Sequence, residues 1–206
     1  AGKYISYEVH TIFLGGGTPS LLPASAVKRI LKEVKTVFCI KEECEITIEV
    51  NPGTVNAEKM KVYREAGINR ISIGLQSADD EELLLLGRIH TYEDFLRTYN
   101  AAIKSGFNNI NIDLMSAIPA QTLQSYRETL FKVLSLNPQP THISAYSLII
   151  EEGTPFYDNT PPLPDEETER ELYKITNDIL SNAGYQRYEI SNYAKSGYQC
   201  AHNKVY

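Results

Sequence analysis

Short runs in which apolar and polar residues alternate are separated along this chain by stretches with helical spacing. Glu45-Ile-Thr-Ile-Glu-Val-Asn51 sets Ile46, Ile48 and Val50 on one face and Glu45, Thr47, Glu49 and Asn51 on the other. Arg70–Gln76 repeats the pattern, with Ser72, Gly74 and Gln76 opposite Ile71, Ile73 and Leu75. Asn109–Met115 sets Asn109, Asn111 and Asp113 against Ile110, Ile112 and Leu114, and in Thr141–Leu148 His142, Ser144 and Tyr146 share a face. An apolar run at Val9–Gly15 supplies an earlier strand. Helical spacing predicts helices over Ala24–Phe38, Ala57–Glu65, Asp79–Leu86, Tyr92–Lys104 and Thr122–Leu136, with Gly67, Gly106 and Asn137-Pro138 as stops. After Thr141–Leu148 come Glu151–Pro155 and a proline-rich loop, Thr160–Pro164. Asp165 then caps a helix at Glu166–Gly184, Tyr185–Tyr193 reads as one more strand, and Ala194–Tyr206 as a loop.

Strand and helix in alternation imply right-handed βαβ units and a parallel sheet. A doubly wound sheet has helices on both faces and should be apolar on both. These strands are apolar on one face only. The pattern therefore predicts an α/β barrel, partial or open, whose polar strand faces line a solvent-filled interior. A closed eight-stranded barrel would fill that space with branched apolar side chains. The barrel is expected to occupy residues 1–164, and residues 165–206 a helix, strand and loop leading toward a C-terminal region. Both ends of the chain read as cut from a longer protein.

Composition narrows the function classes. The chain has 206 residues, 42% of them hydrophobic and 22% charged, with a formal charge of −6. Such a length supports a sizeable core. The acidic balance gives no basic excess for nucleic acid or anionic membranes. No run reaches the roughly 18 apolar residues of a membrane span, which leaves only peripheral membrane contact. Cys39, Cys44 and Cys200 are the three cysteines, too few and too scattered for a disulfide framework. Cys39 and Cys44 flank a charged stretch, Lys41-Glu42-Glu43, expected to be a turn, and are expected to be reduced thiols in a cytoplasmic protein.

The chemistry gathers at the strand ends. Phe13-Leu-Gly-Gly-Gly-Thr-Pro-Ser20 stops a strand in glycines, which lets a ligand approach the backbone closely. Its spacing is neither the Walker loop nor the dinucleotide fingerprint. Gly16, Gly17, Thr18, Glu49, Gln76, Asp113, Tyr146 and Ser147 all fall at C-terminal strand ends, with Arg88 following in Gly87-Arg-Ile-His90. Taken singly, each has a plain alternative: Glu49 as a capping carboxylate before Pro52, Gln76 and Asp113 as helix N-caps, Arg88 as a surface charge. Together on one rim they describe a site for a polar ligand.

These residues carry a resemblance. Phe13–Ser20, Ile48-Glu-Val-Asn-Pro-Gly53, Asn69-Arg-Ile-Ser-Ile-Gly-Leu-Gln-Ser77, Gly87–His90 and Asn111-Ile-Asp-Leu-Met115 resemble the radical S-adenosylmethionine (SAM) proteins of the oxygen-independent coproporphyrinogen III oxidase family. Tyr188–Lys195 and Cys200-Ala-His-Asn-Lys-Val-Tyr206 resemble its heme-chaperone branch, whose His-Asn-x-x-Tyr-Trp motif is associated with heme. The resemblance implies a partial (β/α)6 barrel whose first βα unit is missing from this chain. It implies that Gly16, Gly17 and Thr18 hold the methionine amino group of SAM and that Arg88 pairs with its carboxylate. Glu49, Gln76 and Asp113 would reach its other polar groups, ribose among them, with Tyr146 and Ser147 nearby. Heme would be bound near the chain end by His202, or by Cys200, with Tyr198 and Tyr206 offering ring faces and Lys195 and Lys204 meeting the propionates.

In one respect the chain departs from the family. The Cys-x3-Cys-x2-Cys set that binds a 4Fe–4S cluster is absent, and Cys39, Cys44 and Cys200 cannot replace it at their spacing. The cluster ligands are expected to lie outside this chain, and the chain alone is expected to be inactive. The resemblance implies a cytoplasmic chaperone that binds SAM, a cluster and heme, and delivers heme to acceptor proteins. The rival is a coproporphyrinogen III oxidase. A barrel aldolase or epimerase using Glu49 and Asp113 is a third reading, weakened in its Schiff-base form by the lack of lysine at the strand ends.

Overall fold

The computed structural model describes residues 7–205. The elements run β1 (Glu8–Leu14), a 3-10 turn (Pro19–Leu21), α1 (Ala24–Val37), β2 (Cys39–Val50), α2 (Ala57–Ala66), β3 (Arg70–Gln76), α3 (Asp80–Leu85) and α4 (Tyr92–Lys104). They continue with β4 (Ile110–Ser116), α5 (Leu123–Leu134), β5 (His142–Ser147), α6 (Pro155–Asp158), α7 (Glu166–Asn182), β6 (Gln186–Glu189), β7 (Asn192–Ala194) and a 3-10 turn (His202–Val205). The strand order is β1-β2-β3-β4-β5-β7-β6. Contacts group the described residues into two compact units, one of residues 7–74, 94–111 and 200–205, the other of 75–93 and 112–199.

In the first unit β1 pairs parallel with β2, and β2 with β3, as the alternation of strand and helix implies. Ile46, Ile48, Val50, Ile71 and Ile73 are buried, as are Val27 and Leu31 of α1 and Met60 and Tyr63 of α2. The Asn56 side chain accepts the Lys59 N–H to start α2, and Gly67 ends it at φ 102°. The opposite strand faces are packed rather than bathed in solvent. Thr47, Arg70, Ser72 and Asn111 are all buried, and Asn111 Nδ2 donates to Ser72 Oγ at 2.7 Å. The expected solvent-filled interior is therefore not what these positions see. Asn111 and Ser72 satisfy one another there, whereas the buried Thr47 Oγ1 and Arg70 Nε find no hydrogen-bond partner among the described residues.

The stretch expected to be a turn around Cys39–Cys44 is instead the start of β2. Glu8 and Val9 of β1 pair with Cys39 and Ile40, and the register then shifts before Thr11 meets Glu45. Exposed charges at Lys41, Glu42 and Glu43 mimic a turn although the backbone is extended.

The second unit packs α5 with α7, where Thr176 Oγ1 donates to the buried Tyr126 hydroxyl at 3.0 Å. Burial holds the Tyr126 phenol above its usual pKa. Asp165 caps α7 as expected, its carboxylate accepting the Thr168 N–H at 2.8 Å. The single strand expected over Tyr185–Tyr193 is two, β6 and β7, paired antiparallel. The Glu189 carboxylate accepts Ser191 N–H and Asn192 Nδ2 and so turns the chain between them. Ala194, expected in the loop, closes β7. The short helix α6 was not legible, being set by Thr154 capping a proline at its first position.

Candidate functional site

The glycine stretch closes β1 in the first unit. Gly16 and Gly17 have φ of 76° and 64°, which favours glycine, and a side chain there would meet nothing. At Gly15 the reason is space: a Cβ would stand 2.6 Å from Phe13 Cε1 and 3.1 Å from Glu49 Cδ. Glu49, half-buried at the end of β2, accepts the Gly16 N–H through Oε2 at 3.1 Å. Thr18 Oγ1 accepts from Asn51 Nδ2 at 3.2 Å. Asn51 N–H donates to Ser20 Oγ at 3.2 Å, Thr54 Oγ1 donates to the same oxygen at 2.7 Å, and Lys59 Nζ donates to Ser20 O. The loop is thus tied down by the segment after β2. Asn51 and Ser20 were quoted with the motifs, but nothing local marked them as its anchors.

In the second unit Gln76 ends β3 with φ 70°, while Ser77 N–H reaches back to Leu75 O at 2.9 Å. A non-glycine residue in that conformation is strained, and such strain persists only where the surroundings enforce it. Enforcement comes from buried Glu82. Its Oε2 accepts Ser77 Oγ at 2.6 Å and Gln121 Nε2 at 3.1 Å, and its Oε1 accepts Ser125 Oγ at 2.6 Å. Tyr146 OH donates to Gln76 Oε1 at 3.4 Å, and Ser147 Oγ lies 3.3 Å from Ser116 Oγ. Arg88, half-buried, emerges from the turn that ends α3. There Gly87 N–H bonds Leu84 O at 3.0 Å and Arg88 N–H bonds Leu83 O at 2.9 Å. Asp113 is half-buried on β4.

The capping alternatives are not how these residues are used. Asn56, Asp79 and Thr122 cap α2, α3 and α5. The structure joins Gly16 to Glu49 in one unit and Gln76 to Tyr146 in the other.

The segment at the chain end is ordered by Glu45, which the sequence placed on the polar face of β2 without a partner. Its carboxylate accepts Cys200 Sγ at 3.3 Å, Ala201 N–H at 3.0 Å and His202 N–H at 3.1 Å. His202 Nδ1 lies 2.9 Å from Thr11 Oγ1, and its ring stacks on Phe13 with centroids 4.9 Å apart. Cys200 is fully buried, which pushes its thiol up in pKa despite the opposing pull of Arg70. Lys195 is engaged elsewhere, donating to Gln139 Oε1 at 2.9 Å and lying over the Tyr185 ring. Tyr206 lies outside the described residues.

The cysteines do not fit an iron–sulfur cluster. Cys39 is exposed on β2, Cys44 and Cys200 are buried, and no group of three or more His, Cys, Asp or Glu among the described residues is arranged for a metal. Burial also raises the Cys44 thiol. A thiol titration of the native chain with Ellman's reagent is therefore expected to show one fast-reacting group, Cys39, and all three only in denaturant. Two fast thiols in native buffer would contradict the burial of the others.

The family model of the radical SAM superfamily matches residues 1–133. The chain belongs to that superfamily. It is similar to the heme chaperone HemW of Haemophilus influenzae, at 45% identity over 97% of this chain and 51% of that protein. HemW of Escherichia coli is 44% identical over 97% of this chain and 52% of its own length. The mouse mitochondrial radical S-adenosyl methionine domain-containing protein 1 is 37% identical over 97% of this chain and 46% of that protein. The chain thus spans about half the length of the curated relatives it matches. Among solved structures, coproporphyrinogen III oxidase (HemN) from Escherichia coli matches with a TM-score of 0.84 at 26% identity, over 94% of this chain and 45% of that one. The α/β fold of the radical SAM type that the resemblance implies is the one this superfamily member has. No helix among the described residues is long and apolar enough to cross a membrane.

Proposed function

We propose that this radical SAM chain works as part of a heme chaperone that binds S-adenosylmethionine and delivers heme to acceptor proteins. The observation that carries the reading is its similarity to two proteins named heme chaperone HemW, at 45% and 44% identity over 97% of the chain. The coproporphyrinogen oxidase, by contrast, is 26% identical. The cytoplasm is the proposed compartment.

The SAM site in this reading consists of Gly16, Gly17, Thr18 and Glu49, with Gln76, Arg88, Asp113, Tyr146 and Ser147. The residues suit the ligand chemically. Gly16 and Gly17 offer bare backbone, Glu49 and Asp113 offer carboxylates to an ammonium or to ribose hydroxyls, and Arg88 offers a guanidinium to a carboxylate. The hydrogen bond from the Gly16 N–H holds Glu49 and the glycine loop in place before a ligand arrives. In this reading a 4Fe–4S cluster, whose cysteine ligands lie outside this chain, would supply an electron to bound SAM.

Heme is assigned to the segment around His202. Imidazole and thiolate are both common iron ligands. The burial of Cys200 and its hydrogen bond to Glu45 favour His202, because the thiol must ionise before it can bind iron. Heme titration of the full-length protein tests the assignment. His202→Ala is expected to weaken binding and shift the Soret band, while Cys200→Ser leaves both unchanged. A Soret shift in Cys200→Ser alone moves the ligand to sulfur. Turnover of coproporphyrinogen III by the full-length protein would replace the chaperone reading with the oxidase.

A further inference from the structure

We propose that His202 is a positioning residue of the S-adenosylmethionine site, acting through Phe13 on the corner where Gly15 meets Glu49. The proposal rests on the reading of Gly16 and Glu49 as SAM-binding residues. It starts from the ladder between β1 and β2, where Thr11 pairs with Glu45, Phe13 with Thr47 and Leu14 with Ile48. Thr11 and Phe13 share one face of β1, with Gly15 just past its end, and Glu45, Thr47 and Glu49 share one face of β2. Along these faces the contacts run without a gap. Glu45 accepts three donors from residues 200–202, which fixes the backbone that carries His202.

Thr11 then pins His202 Nδ1, and the imidazole lies nearly parallel to the Phe13 ring, at an interplanar angle of 23°. The Cε1–Cδ1 edge of the Phe13 ring fills the space beside Gly15, where a Cβ would stand 2.6 Å from Cε1 and 2.9 Å from Cδ1. The Glu49 carboxyl carbon borders the same point at 3.1 Å, and Glu49 holds the Gly16 N–H. A shift of the Phe13 ring toward Gly15 would close the space that the Glu49 carboxylate borders. His202, stacked on that ring, limits where it can move. A histidine in the chain-end segment thus sets the geometry of a loop that a scan for ligand contacts would treat as independent of it.

The experiment is isothermal titration of SAM into the full-length protein with its cluster reconstituted, alongside heme titration of the same samples. His202→Ala removes the stack and is expected to weaken SAM binding roughly threefold to tenfold, the range of an aromatic pair. His202→Phe keeps a ring against Phe13 but has no nitrogen for iron. It is expected to restore SAM affinity to within about twofold, whatever happens to the Soret band. That rescue separates positioning from a general loss of structure. Phe13→Leu, which empties the stack from the other side, is expected to weaken SAM as His202→Ala does, and stands in for it should that variant fail to fold. Unchanged SAM affinity in His202→Ala or Phe13→Leu overturns the proposal, as does a His202→Phe variant no better than His202→Ala. Glu49→Gln serves as the reference. If it weakens SAM while His202→Ala does not, only the positioning role fails. If it too has no effect, the SAM assignment of this loop fails with it.

Discussion

Glu82→Ala is expected to lower the melting temperature of the chain by roughly 10 °C, the largest stability effect foreseen for a single polar side chain here. The carboxylate is 4% exposed and takes donors from Ser77, Ser125 and Gln121. Removing it leaves buried donors without their acceptor and opens a cavity. Losing hydrogen bonds to a charged group, at about 1.5–3 kcal/mol each with incomplete additivity, gives a loss of about 3–5 kcal/mol. Ser77, Gln121 and Ser125 keep weaker alternatives in Thr129 Oγ1 at 3.4 Å, Met115 O at 3.4 Å and Thr122 O at 3.2 Å, which is why the upper end of that range is not expected. Glu82→Gln is expected to be milder, because serine hydroxyls can reverse and accept from the new amide. Thermal unfolding followed by circular dichroism measures both. A shift under 2 °C for Glu82→Ala would show that the network holds no structure in place. The network also fixes Ser77, whose N–H closes the strained turn at Gln76, so a stability defect here is expected to loosen the strand end as well.

Much of the framework could be read from local pattern. Arg70–Gln76 and Tyr92–Lys104 have the bounds that their alternation and periodicity predict. Asp165, Gly67 and Gly106 act as the caps and stops their residue types imply. What failed was sequence in which one signal masked another. Lys41-Glu42-Glu43 is solvent-facing strand, and a run of charges carries no alternation by which to recognise it. Tyr185–Tyr193 has strand composition throughout, and the turn within it depends on Glu189 folding back onto Ser191 and Asn192.

The site shows the same division. Its candidate residues were visible because they recur at strand ends, yet the groups that hold them were not. Glu82 is one more charge on a short helix by its sequence, and two of its donors, Gln121 and Ser125, come from a distant stretch. Glu45 looked like a solvated polar position, and its partners at Cys200, Ala201 and His202 are distant in the chain. Long-range partners of polar side chains leave no periodicity, so they emerge only once the backbone is in place. The polar strand faces were also misjudged in kind. Alternation identifies a non-apolar face but cannot tell water from a neighbouring amide, and Asn111 and Ser72 chose each other.

Arg88→Ala in the full-length, cluster-reconstituted protein is expected to weaken SAM binding ten- to a hundredfold, or about 1.5–3 kcal/mol, the typical cost of losing a charge-assisted hydrogen-bond partner. The position suits that role because the turn after α3 fixes the backbone leading into it, with Gly87 at φ 68° and two hydrogen bonds closing the helix end. The guanidinium then reaches from a rigid base, and little side-chain freedom beyond its own is lost on binding. Arg88→Lys is expected to recover part of the loss, since an ammonium supplies the charge but not the two parallel N–H groups that match a carboxylate. Glu49→Gln is expected to weaken binding at the lower end of the same range. The amide oxygen still accepts the Gly16 N–H and keeps the loop in place, so only the charge facing the ligand is removed. The contrast between the two variants identifies which end of the ligand each residue meets. A SAM analogue lacking the carboxylate should bind wild type and Arg88→Ala alike, while Glu49→Gln remains impaired toward it. Equal SAM affinity in wild type and Arg88→Ala would remove Arg88 from the site.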